Sequence, residues 1–203
     1  MTSTMTDASH SDTANFDVAR RAMINSQLRP SGVNEGWVLA AMGSLPRENF
    51  VPATARAAAY TDRAVPLGEG RYLAPPLVHG RMLAEAAPGK TDAALVVSAC
   101  GYLAELLRPL VASLTVIEPN AATCAISGGP YTLVLVEGAG EALPAALTDA
   151  LVDGGRLVTG LIEDGVTRLA VGRKQAGSIA LLPLAEIAIP SLPEFVAPKR
   201  WSF

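Results

Sequence analysis

The chain has 203 residues, half of them hydrophobic and only 17% charged, with a formal net charge of −3. That length suits one well-buried domain. A sparsely charged, mildly acidic chain lacks the basic face of a nucleic-acid binder, and no run approaches the roughly 18 apolar residues of a membrane span.

Met1 to Asn15 is rich in Thr, Ser and Asp without an apolar core, and reads as a disordered tail (1–15), not a signal peptide. With two cysteines, Cys100 and Cys124, and no export signal, the expected compartment is the reducing cytoplasm. The remainder, 16–203, reads as a single domain with a helical region over 16–90 and a sheet core over 91–203.

Phe16 to Leu28 places Phe16, Ala19, Met23 and Gln27 on one helical face, and Arg29-Pro-Ser-Gly32 ends that helix. A second helix is expected from Asn34 as N-cap through Glu35 to Met42. Pro46-Arg-Glu-Asn-Phe50 is a turn that Arg47 and Glu48 stabilise, and a short Ala-rich helix follows to Tyr60. Asp62 to Tyr72 reads as a loop. Pro75-Pro76 opens a helix reaching about Ala87, since proline is tolerated in a first turn.

Short apolar runs then alternate with helices, as in a parallel sheet covered on both faces. Strands are expected at Ala93–Val97, Leu114–Glu118, Tyr131–Val136 and Gly155–Gly160, and helices at Tyr102–Leu110 and Ala139–Leu151. Val166–Val171 and Ile179–Ile189 read as a closing antiparallel hairpin. A strand, the turn Ser98-Ala-Cys-Gly-Tyr102, a helix and a second strand ending in Glu118 form the opening half of a nucleotide-type α/β fold. In that arrangement the turn meets a cofactor and the carboxylate accepts hydrogen bonds from a ribose diol. His79 reads as a helix-surface histidine and Cys100 as a small filler of the turn. No residue spacing points to a metal.

Several stretches resemble one family, the protein-L-isoaspartate O-methyltransferases of bacteria. They are Met23-Ile-Asn-Ser-Gln-Leu-Arg29, Val38–Met42, Pro46-Arg-Glu-Asn-Phe-Val-Pro52 and Ala59-Tyr-Thr-Asp62, followed by Pro130-Tyr131, Leu143-Pro144, Asp153-Gly-Gly-Arg-Leu-Val158 and Ile189-Pro-Ser-Leu-Pro-Glu-Phe195. The resemblance implies a Rossmann-like class I methyltransferase sheet preceded by helices. It also implies S-adenosylmethionine as methyl donor and isoaspartyl residues of damaged proteins as substrate. Gly101, Ser98 and Glu118 take the cofactor-side positions. Asp62 and Ala74 take the substrate-side positions.

Three departures accompany the resemblance. Ala74 stands where the family's substrate loop has serine, and Tyr72 where it has threonine; a methyl neither donates nor accepts a hydrogen bond. The turn keeps only Gly101 of the family's glycines, and Val97 and Ala99 are expected to crowd the methionine moiety. Twelve residues separate Glu118 from Tyr131, too few for a helix, an edge strand and an adenine loop. The expectation is a fold truncated by one edge strand-helix unit, with weak or no donor binding and weak or no catalysis. The alternative reading is a non-catalytic module for protein interaction or regulation.

Overall fold

The computed structural model describes residues 15–197. The expected tail, apart from Asn15, lies outside them, and Asn15 itself already belongs to the first helix.

Helix α1 covers residues 15–28, and its last turn, Ile24–Leu28, widens so that the Arg29 amide reaches the Ile24 carbonyl. Helix α2 is Gly36–Ser44, with Val38, Leu39 and Met42 on its buried face. It starts later than the sequence suggests: Glu35, not Asn34, holds the N-cap position, and no side chain caps that end. The Pro46 turn and the Ala-rich run are both tight three-residue-per-turn helices, Arg47–Phe50 and Ala53–Ala58.

The stretch expected as a loop is a hairpin, β1 (Val65–Gly68) with β2 (Arg71–Leu73). Its turn runs through Gly68, Glu69 and Gly70, all at positive φ, a conformation open to glycine and tolerated only singly by other residues. Helix α3 is Pro76–Ala86, close to expectation.

The main sheet has six strands: β3 (Ala93–Val97), β4 (Ser113–Ile117), β5 (Tyr131–Gly140), β6 (Leu151–Glu163), β7 (Val166–Gln175) and β8 (Ser178–Glu186). Their order is β4-β3-β5-β6-β7-β8. The first four run parallel, and β7 and β8 close the sheet as an antiparallel meander. Helices α4 (Tyr102–Leu107) and α5 (Ala145–Ala150) supply crossovers. β4 is the edge strand, and the connection from it to β5 contains one short turn of helix, Ala121–Thr123.

The helix expected from Ala139 begins only at Ala145. β5 instead runs on to Gly140, because the C-terminal segment pairs with it: Ala139 N–H donates to the Pro190 carbonyl at 2.8 Å, and Leu192 N–H to the Ala139 carbonyl at 2.8 Å.

Strand alternation divides the core between the two faces. Ala94, Val96, Leu133 and Leu135 pack with α1, α2, α3 and Tyr102. Leu95, Val97, Val134 and Val136 pack with Leu147, Leu192 and Phe195 on the other face.

Candidate donor and substrate site

Ligands of open α/β sheets sit outside the carboxyl ends of the strands. At that end lies a solvent-open cleft of about 630 Å³, lined by Leu67, Gly68, Glu69 and Arg71 of the hairpin, Ala99 of the turn after β3, and Glu118 and Asn120 after β4. The sequence predicts Glu118 at the tip of a strand beside this turn, and it lies there, exposed. Arg71 is fixed at the cleft by Glu194 of the C-terminal segment, one guanidinium nitrogen donating at 3.0 Å.

The turn itself is built around Ser98. Its hydroxyl accepts from Gly101 N–H at 2.8 Å and Cys100 N–H at 3.3 Å and donates to Glu137. Gly101 has φ 78° and caps α4. Ser98 is buried, so its hydroxyl shapes the turn from within. Ala99 lines the cleft. Val97 is fully buried in the opposite-face cluster, so its side chain packs into the core.

The lining tests the group that the sequence resemblance implies. Glu118 can accept from a ribose diol, and a Cβ placed on Gly101 would meet nothing within 4 Å, so the turn leaves open space. A purine needs an apolar slot, and here only Leu67 and Ala99 are apolar side chains among seven lining residues. Among the described residues, the cleft offers an acceptor for the ribose end and lines no apolar slot for the base.

Of the two residues expected on the substrate side, Ala74 is 1% exposed and its carbonyl accepts from the Arg47 guanidinium. Asp62 is exposed and borders a separate cleft of about 230 Å³ with Pro75, Leu77, Val78, Glu186, Ile187 and Ala188. The structure therefore places Gly101, Ser98 and Glu118 together, with Asp62 and Ala74 in a neighbouring region.

Between the two regions lies a buried polar cluster that sequence reading misses. His79 is not on the helix surface: it is fully buried in α3, with Arg47 at 0% and Glu137 at 6% exposure. Arg47 Nη1 lies 3.0 Å from His79 Nδ1, and His79 Nε2 lies 2.5 Å from Glu137 Oε1. The guanidinium also donates to the Ala59 carbonyl at 2.6 Å and lies over the Tyr102 ring at 4.9 Å. Arg47 thus organises far more than its own turn. Cys100 Sγ lies 3.6 Å from Glu137 Oε1.

Burial lowers the His79 pKa. Burial works against the Glu137 charge, but His79, Ser98 and the Arg47 charge hold its carboxyl below the usual range. Burial pushes the Cys100 thiol well up, leaving it un-ionised. Nearby, Tyr60 donates to Glu48 and accepts from Arg20 Nε at 2.8 Å and from Arg47 N–H at 3.2 Å. The Pro46–Pro52 and Ala59–Asp62 motifs therefore meet in space. The one sequence signal for Glu137 is its acidity inside an apolar strand. Nothing local ties it to His79.

The family model for protein-L-isoaspartate(D-aspartate) O-methyltransferase matches residues 19–127. A protein-L-isoaspartate O-methyltransferase of Koribacter versatilis is 32% identical over 198 residues, covering 85% of this chain and 89% of that protein. One of Methylorubrum populi is 33% identical over 167 residues, 70% of this chain and 79% of its own. Among solved structures, a protein-L-isoaspartate O-methyltransferase from Plasmodium falciparum in complex with S-adenosyl-L-homocysteine superposes with a TM-score of 0.68 at 17% identity, over 88% of this chain and 98% of that one. The parallel sheet, the turn at Ser98–Gly101 and these matches over most of the sequence agree: the chain belongs to the protein-L-isoaspartate(D-aspartate) O-methyltransferase family.

Proposed function

We propose that the chain is an isoaspartate-repair methyltransferase with a reduced site. Its reaction class is carboxyl methylation of isoaspartyl residues in damaged proteins, with S-adenosylmethionine as a weakly held donor. The observation that carries this reading is the cleft at the carboxyl ends of β3 and β4, where Glu118 faces the turn closed by Gly101. Glu118 serves as the ribose acceptor, and Ser98 and Gly101 shape the turn. Asp62 lies on the substrate side. Catalysis in this class rests on holding a carboxylate in the right place, and Ala74 supplies no hydroxyl for that.

A second reading, a non-catalytic module for protein interaction or regulation, is favoured by the same alanine and by the lack of an apolar purine slot among the described residues. Methyl transfer to an isoaspartyl peptide at one high, fixed donor concentration separates the two, run on wild type and Ala74→Ser. A hydrogen bond to a charged group contributes about 1.5–3 kcal/mol, a rate factor of about ten to a hundred. Slow wild-type turnover that rises in Ala74→Ser supports the reduced enzyme. Two flat lines support the non-catalytic module. Fast wild-type turnover refutes both in favour of an intact repair enzyme.

A further inference from the structure

The buried cluster forms one continuous chain of hydrogen bonds. It starts at the Ala59 and Ala74 carbonyls, passes through Arg47, His79, Glu137 and Ser98, and ends at the Cys100 and Gly101 amides. An arginine can only donate, so His79 Nδ1 must be the acceptor and Nε2–H the donor to Glu137. Each proton position follows from its neighbour, and the chain is neutral overall, Arg47 balancing Glu137. A core needed only for stability does as well with apolar side chains of the same volume. This one instead carries a buried ion pair relayed by a neutral imidazole, and its links between segments span 12 to 58 positions in sequence.

We infer that Arg47, His79 and Glu137 are positioning residues, a charge-balanced relay that fixes the Ser98–Gly101 turn from the backbone at Ala59 and Ala74. The donor side and the substrate side of the site are then held in register through side chains that contact neither ligand. This deepens the proposed function only in naming what the turn serves; the relay itself is a property of the free protein.

Glu137→Gln tests it while keeping the shape. His79 Nε2–H can still donate to the amide oxygen, but the amide nitrogen now donates towards Ser98 Oγ, which already accepts from two backbone amides. The hydroxyl must then release one of them. Hydrogen exchange, followed by NMR in the free protein, is expected to quicken about tenfold in Glu137→Gln at one of the two amides, Cys100 or Gly101. His79→Gln places an acceptor and a donor on one planar amide and is expected to restore most of the protection lost in His79→Leu. Leu135→Ala, a cavity on the same face of β5, is expected to lower stability without singling out those amides.

Wild-type exchange at both amides in folded Glu137→Gln would overturn the relay. So would an equal effect in Leu135→Ala. Should Glu137→Gln not fold, the His79→Gln and His79→Leu pair decides by the same amides. Titration with S-adenosylhomocysteine forms a second arm, in which weaker binding by Glu137→Gln is expected. If the wild type does not bind at all, the donor reading fails while the exchange result still stands or falls alone.

Discussion

The end of the sheet away from the site is held by Asp92, and its removal gives a pH-dependent loss of stability whose size can be worked out. Arg156 donates to both Asp92 oxygens, at 3.0 and 2.5 Å, and also to the Ala86 and Ala87 carbonyls. Gly89 N–H and Thr132 Oγ1 add bonds of 2.7 and 2.8 Å to the same carboxylate. One residue thereby joins the end of α3 to the starts of β3 and β5 and, through Arg156, to β6. Burial would raise its pKa, but Arg156, Gly89 and Thr132 outweigh that and hold it at about 2.

Against an unfolded value near 3.9, the difference of about two pH units corresponds to about 2–3 kcal/mol. A carboxylate depressed in the folded state stabilises the protein above its unfolded pKa, and that contribution is lost as pH falls through the folded value. Asp92→Asn is therefore expected to cost about 2–3 kcal/mol at pH 7, about half that at pH 3, and a few tenths at pH 2. Urea denaturation of both proteins at the three pH values measures it. A gap under about 1 kcal/mol at pH 7, or one that does not shrink on acidification, would refute the reasoning.

Two further substitutions probe the packing around the site. The buried Tyr102 hydroxyl has no hydrogen-bond partner among the described residues, so Tyr102→Phe is expected to leave stability unchanged or raise it by about 1 kcal/mol in the same urea assay. A Cβ on Gly140 would stand 2.4 Å from Phe195 Cβ and 2.9 Å from its carbonyl oxygen. Gly140→Ala should then lower stability by about 1–3 kcal/mol and expose the C-terminal segment to limited proteolysis.

Much of this fold is legible in the sequence because each sheet strand is a short apolar run between turn residues. Ala93–Val97 is recovered to the residue, and the neighbouring strand to within one. What escapes has non-local causes. The hairpin at Val65–Leu73 is too short for periodicity to reveal, although Gly68-Glu-Gly70 marks its turn. β5 outruns its apolar stretch because Pro190 and Leu192 supply hydrogen-bond partners from 51 and 53 residues further along the chain. The positions of Glu118 and Gly101 follow from strand-turn logic. The placing of His79 could not, because its partners, Arg47 and Glu137, come from a tight turn and a distant strand. A histidine in a helix reads as exposed unless those partners are known.

The central claim is that the family's donor cleft survives here in reduced form. Its most direct test is a calorimetric titration of the protein with S-adenosylmethionine. Loss of several contacts at about 1–3 kcal/mol each weakens a micromolar ligand beyond millimolar. The account therefore predicts heats too weak to saturate below about 1 mM. A saturable isotherm with a dissociation constant in the low micromolar range would contradict it.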